Sequence, residues 1–188
     1  YLVKDKDKKQ HLIVELNIEE KQKFFFRDIT WVGNTKYTSE DLSRRLRIKK
    51  GDAYNRALLD KNIHYDPTGA DISALYQDDG YLFSQIIPVE VNIENDSIDI
   101  EMRVYEGKQA RIGKVSISGN TRTNDHVIMR ELKTLPGQLY SRDDVYRSLR
   151  ELQQLQYFDQ ENMEPVIEPD QENGLVNIEY KLKEVSSD

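Results

Sequence analysis

The sequence predicts an α+β fold in which a β-α-α-β-β module is written twice in tandem, each copy a three-stranded mixed sheet covered on one face by two helices. Three observations predict it. First, VSISGNTRT at residues 115–123 has a near twin in ITWVGNTKYT at 29–38, with Gly119 standing 86 residues after Gly33. Second, the same offset keeps Arg44 in register with Arg130, Leu46 with Leu132, Gly51 with Gly137, Tyr54 with Tyr140 and Arg56 with Arg142. A register held that far marks a duplicated unit. Third, each copy closes on two alternating runs separated by turn residues, the pattern of a hairpin.

The elements follow in order. Ile29 and Trp31, or Val115 and Ile117, alternate with polar residues as in a strand with one buried face. The pairs Gly33-Asn34 and Gly119-Asn120 are read as structural turns, because both residue types tolerate positive φ. Thr38 or Asn124 then caps a helix whose apolar residues recur at four-residue spacing, Leu42 and Leu46 or Ile128 and Leu132. Gly51 and Gly137 are expected to end it.

A second helix places Ile72, Leu75 and Tyr76 on one face in the first copy, and Val145, Leu149 and Leu152 in the second, where Ser141 is placed to cap it. Two strands close each copy: residues 84–93 and 97–105 around Asn95-Asp96, then 163–167 and 175–183 around Asn173-Gly174. From Tyr54 to Tyr81 the first copy is ten residues longer than the second from Tyr140 to Tyr157. The surplus lies within RALLDKNIHYDPTG, expected to hold a short helix and a Pro-containing loop. LIVELNIE at 12–19 repeats the closing-strand pattern. Residues 1–23 are therefore read as the final strand of a preceding module, 24–107 as one module and 108–188 as the next.

Composition narrows the chemistry. Two modules within 188 residues each have a thin core and little room for a cofactor cavity. Thirty-four acidic residues against 27 basic ones give a net charge of -7, which opposes a nucleic-acid backbone. Cysteine is absent, which excludes disulfides and thiolate metal sites. No run approaches the roughly 20 apolar residues of a membrane-spanning helix.

His11, His64 and His126 stand in different expected elements, so no metal site is read from them. Asp78-Asp79 and Asp143-Asp144 lie on or beside helices, where surface or capping roles suit them better than acid-base work. Phe24-Phe25-Phe26, Trp31 and Tyr180 suit a core better than a base-stacking platform. No catalytic residue, nucleophile motif, phosphate loop or cofactor is read, and the chain is expected not to be an enzyme.

With the repeat in place, the chain resembles the POTRA domain, the polypeptide-transport-associated module that precedes the outer-membrane β-barrel of the BamA/Omp85 family. The residues that carry the resemblance are VSISGNTRT, the G-x-x-Y of Gly137 to Tyr140, LQQLQYF, DDGYLF and the strand-ending VYEG at 104–107. None is specific alone; their order in two tandem units is. YKLKEVSSD at 180–188 resembles the strand and link that lead from the last POTRA domain into the barrel.

The resemblance implies the penultimate and last POTRA domains of an outer-membrane protein assembly factor, in the periplasmic portion of a bacterial outer-membrane protein. It implies three kinds of partner: unfolded outer-membrane proteins, accessory outer-membrane lipoproteins and the protein's own C-terminal barrel. A two-partner secretion transporter, another Omp85-type transporter or a purely structural periplasmic scaffold is the alternative branch.

The crossover over two helices makes the closing strand central and the strand before it an edge. Pro88 and Pro165 fall in those edge strands, where a missing donor is tolerated. The candidate client-binding edge is Gln85, Ile86, Ile87, Val89, Glu90 and Val91, which would accept an extended peptide by strand addition. Proline also protects an edge against pairing. Glu106, Gly107, Lys108 and Gln109 join the copies as a restricted hinge.

Overall fold

In the computed structural model the described residues are 2–4, 10–12 and 22–185. Leu2–Lys4 (β1) pairs antiparallel with Gln10–Leu12 (β2). Residues 13–21, which carry most of the run expected to close a preceding module, lie outside the described residues.

The first module runs Phe25–Val32 (β3), Ser39–Leu46 (α1), Arg56–His64 (α2), Ile72–Asp78 (α3), Gln85–Glu94 (β4) and Ser97–Tyr105 (β5). The second runs Arg111–Ser118 (β6), Asp125–Met129 (α4), Arg142–Gln154 (α5), Glu164–Asp170 (β7) and Leu175–Lys181 (β8). Sheet orders are β3-β5-β4 and β6-β8-β7. In each, the closing strand is central, parallel to the opening strand and antiparallel to the strand before it. This is the tandem α+β arrangement the repeat predicts.

Capping explains where the helices start. Thr38 accepts the N–H of Asp41, Asn55 that of Leu58, Asp71 that of Ala74 and Ser141 that of Asp144. Each side chain satisfies a donor that the first helical turn leaves unpaired. The alternation of the central strands sets the cores: Ile98, Ile100, Met102 and Val104 are buried in one, and Val176, Ile178, Tyr180 and Leu182 in the other.

Two features depart from the sequence reading. Gly51 and Gly137 do not end helices, because α1 stops at Leu46 with Arg47 left-handed at φ 57°, and α4 stops at Met129. The two glycines instead turn the chain so that their N–H groups donate to Phe26 O and Ile112 O, both at 2.7 Å. The residues after them lie as a short rung against the opening strand, with Tyr54 N–H on Phe24 O and Tyr140 N–H on Ala110 O.

The surplus of the first module holds the short helix and the Pro-containing loop that its sequence predicts: α2 and α3 stand, with Pro67 in the loop between them, where the second module has the single helix α5. Finally, Leu82 and Phe83, which belong to the first module by sequence, pack against the core of the second.

Candidate functional site

The edge of β4 can be built from backbone parity. A strand between two neighbours directs alternate residues to each side, and an antiparallel pair exchanges hydrogen bonds at every second position. Phe25 N–H donates to Asp96 O at 2.8 Å, so the even-numbered residues around β5 face β3. Their antiparallel partners Ile86, Pro88 and Glu90, opposite Val104, Met102 and Ile100, therefore turn their backbone groups outward. A bulge between Glu90 and Asn92 shifts the register, so that Ile93, opposite Ile98, resumes the outward row. Pro88 thus stands where β5 requires no donor.

The six residues of the candidate edge separate by environment. Ile86 is buried in the first core, and Glu90 accepts the Tyr54 hydroxyl at 2.6 Å. Ile87 and Val89 lie on the open sheet face, opposite Arg103 and Glu101, which pair with each other at 2.7 Å. Gln85 is exposed at the start of the strand. Val91 is the bulged residue, 50% exposed, beside Ile87 at 44% and Ile93 at 55%. Ile93 was missed by the sequence reading, although the run VEVNIE carries apolar residues up to it.

The turn residues are held by their closing strands. Gly33 and Gly119 both have φ of 87°, and a Cβ would stand 2.2 Å from Val104 O in one case and 1.8 Å from Leu182 O in the other. Asn34 Nδ2 donates to Tyr37 O at 2.9 Å, and Asn120 Nδ2 to Thr123 O at 2.8 Å.

A glutamate after each central strand then grips the turn, a pairing no local motif announced. Glu106 accepts the N–H groups of Thr35 and Lys36 at 2.8 Å each, the Thr35 hydroxyl, and the Tyr76 hydroxyl at 3.1 Å. Burial works against its charge, but these donors hold its pKa below the ordinary value. Glu184 does the same for Thr121, Arg122 and Thr123, with Thr123 N–H at 2.6 Å. That backbone donor leads the interactions that hold the Glu184 carboxyl down at about 2.

The sign of the linkage follows. A carboxylate with a depressed folded pKa adds stability above its unfolded value of 4.5 and loses it as pH falls towards about 2. Glu184→Gln is therefore expected to melt below wild type at pH 7, with the gap closing as pH falls through that window. Thermal melts at several pH values check this, and a gap that does not narrow would contradict the clamp.

The joint is pinned at, and just after, the residues read as a hinge. Gly107 adopts φ 71° beside Phe83. Gln109 Nε2 donates to Asp79 O at 2.8 Å, and Ala110 N–H to Gly80 O at 2.7 Å. Away from the chain crossing, α3 docks on α5. Arg142 Nη1 meets Asp71 Oδ2 at 3.0 Å, with the Asp71 side chain fully buried.

Asp78 Oδ1 accepts Asp143 N–H at 2.7 Å. Burial raises the Asp78 pKa, and that hydrogen bond works against the rise. Asp78 and Asp143, assigned separately to surface or capping roles in sequence, thus meet across the joint. Beside them a cleft of about 460 Å³ is lined by His64, Tyr65 and Leu82 from the first module, and by Tyr146, Pro165 and Ile167 from the second.

Among the described residues, no group of three or more His, Cys, Asp or Glu side chains is placed to hold a metal ion. His64 Nδ1 lies 3.2 Å from Ser73 Oγ, and burial lowers its pKa. No helix among the described residues is long and apolar enough to cross a membrane.

Comparison with known proteins adds family relationships. The family model POTRA, described as a surface antigen variable number repeat, matches residues 24–107 and again 110–185. The chain is similar to the outer membrane protein assembly factor BamA of Neorickettsia risticii, with 25% identity over 159 residues, covering 84% of this chain and 21% of that protein. It is also similar to BamA of Neisseria meningitidis serogroup B, with 26% identity over 146 residues, covering 74% of this chain and 18% of that protein.

The chain thus spans about a fifth of the length of these curated relatives. Among solved structures, the crystal structure of Haemophilus influenzae BamA POTRA3-5 superposes with a TM-score of 0.71 at 22% identity, covering 86% of this chain and 61% of that one. That likeness is one of fold.

Proposed function

This chain belongs to the POTRA family, and from that membership we propose that it is the periplasmic region of an outer-membrane protein assembly factor that guides unfolded β-barrel clients by strand addition. The observation that carries the reading is the outward backbone row of β4, with Ile87, Val91 and Ile93 exposed along the same strand. Main-chain hydrogen bonds tolerate many sequences, which suits clients that share only being unfolded and β-forming.

About four such bonds at roughly 0.5 to 1.5 kcal/mol net each, less the cost of ordering the client, correspond to a Kd no tighter than about 40 μM and extending into the millimolar range. Weak binding allows release, and neighbouring modules compensate by effective concentration.

Within this proposal residues 24–107 are the penultimate module and 108–188 the last before the barrel, with 1–23 closing a preceding one. Glu106 to Gln109 are the joint that presents the pair to the barrel and to accessory lipoproteins. The contact between α3 and α5 supports a joint held near one angle. The role is non-enzymatic and needs no cofactor; the relatives named above are assembly factors.

A backbone NMR titration with an extended peptide from the closing strand of an outer-membrane barrel protein tests the site. Shifts along Gln85–Glu94 are the expected result. Shifts confined to the helices or to residues 106–109 would remove the edge as the site. No shift at millimolar peptide would leave a scaffold and lipoprotein-docking role in its place.

A further inference from the structure

The two modules do not present equivalent edges. We infer that an extended client strand is accepted by β4 and refused by β7, because prolines occupy two of the three outward backbone positions of β7. This rests on the strand-addition reading of β4 and assigns the modules unequal parts in it.

The parity of β7 is set by the same logic as that of β4. Leu182 N–H donates to Ser118 O at 2.9 Å, so the even-numbered residues of β8 and its extension face β6. Their antiparallel partners on the other side turn outward: Pro165 opposite Tyr180, Ile167 opposite Ile178 and Pro169 opposite Val176. Both prolines fit a regular ladder because β8 asks nothing of their nitrogens. Towards an incoming strand, however, only Ile167 retains an N–H.

On β4 the equivalent row loses only Pro88. Ile86 and Glu90 keep their donors, and Ile93 beyond the bulge adds another. Among the described residues, no backbone hydrogen bond from outside the sheet reaches either outward row.

Access separates the two edges as well. Pro165 and Ile167 line the cleft shared with Tyr65 and Leu82, so this half of the β7 edge faces the first module. The β4 strand is ten residues long against seven for β7. The occupant that fits is a single extended polypeptide segment, hydrogen-bonded along β4, with apolar side chains in alternation against Ile87 and the bulged Val91. Closing the other edge keeps tandem modules and neighbouring copies from pairing sheet to sheet, the hazard of any unpaired edge.

The test uses the full chain and three sequences: wild type, Pro88→Val and the double variant Pro165→Val with Pro169→Val. Valine suits a strand and restores the missing N–H. Each is titrated with the closing-strand peptide by backbone NMR and followed by sedimentation velocity. Wild type is expected to take one peptide with shifts on β4 alone. Pro88→Val is expected to bind about 2- to 12-fold tighter, the effect of one added hydrogen bond. The double variant is expected to gain shifts on Glu164–Asp170 or to self-associate.

Wild-type shifts on β7 matching those on β4 would overturn the inference. So would a double variant that keeps wild-type melting and spectral dispersion yet takes neither a second peptide nor a second copy. If wild-type β4 takes no peptide, strand addition fails as the function. The role of the prolines is then judged by sedimentation: self-association of the double variant alone supports it, and none in either chain overturns it. Should the double variant not fold, Pro165→Val and Pro169→Val are read singly by the same criteria.

Discussion

Gly119→Val is expected to lower the melting temperature of the second module by roughly 10 °C or more, through a loss of about 2 to 5 kcal/mol. Two costs combine. The backbone sits at φ 87°, where a β-branched residue is strained, and the new Cβ would stand 1.8 Å from Leu182 O, a backbone atom of the central-strand extension that cannot rotate away. Gly137→Val separates them: it has the same φ of 87° but nothing within 4 Å of its Cβ position, so only the backbone cost of about 1 to 2 kcal/mol applies. Thermal melts of both variants check the difference, and equal losses would mean that the approach of the strand to the turn contributes nothing. The same contrast holds between Gly33 and Gly51 in the first module.

Arg142→Met is expected to cost about 3 to 5 kcal/mol, because it strips the partner from a buried carboxylate. Asp71 has no solvent exposure, and its Oδ1 has no hydrogen-bond partner. Its Oδ2 accepts both Arg142 Nη1 and the N–H of Ala74 at the start of α3. Asp71→Asn keeps a capping side chain while removing the charge. The double variant is therefore expected to recover part of the loss, giving a coupling measurable by a double-mutant cycle. The joint should loosen along with the stability. Wild type is expected to unfold in one transition and to fit one alignment tensor by residual dipolar couplings, and the variant to unfold in two transitions and to need a separate tensor for each module. An Arg142→Met variant that melts as wild type with one shared tensor would show that the ion pair does not hold the modules together.

The two predictions sit on different sides of what was legible in the chain. The caps at Thr38, Asn124 and Ser141 and the alternation of the central strands are local signals, and the structure reads them as the sequence does; at the Gly-Asn pairs, Gly33 and Gly119 take a positive φ. Gly51 and Gly137 carried a local signal too, positive φ, but that conformation serves a turn into a strand rung as well as it serves a helix end. The short helix α2 and the loop at Pro67 were legible from the length mismatch and from the stretch RALLDKNIHYDPTG.

Glu106 and Glu184 were visible as the residues ending VYE and LKE, yet nothing in those strings announces the donors they grip 61 to 71 residues earlier. Tyr76, 30 residues earlier, is equally silent. Arg142 and Asp71 are likewise 71 residues apart in different modules. Pro165 was read as an edge residue, whereas the role of Pro169 depends on a parity that only the pairing of β8 with β6 establishes.

By itself, the sequence determined the repeat, the order of elements, which face of each strand is buried and the family resemblance, because periodicity and turn chemistry act over a few residues and survive in the one-dimensional string. Only the tertiary structure decided which backbone groups face outward, how the modules are pinned and which edge keeps its donors. Those properties arise from pairings between distant segments, set by strand register and the burial of opposite charges, and no short stretch of the chain contains both partners.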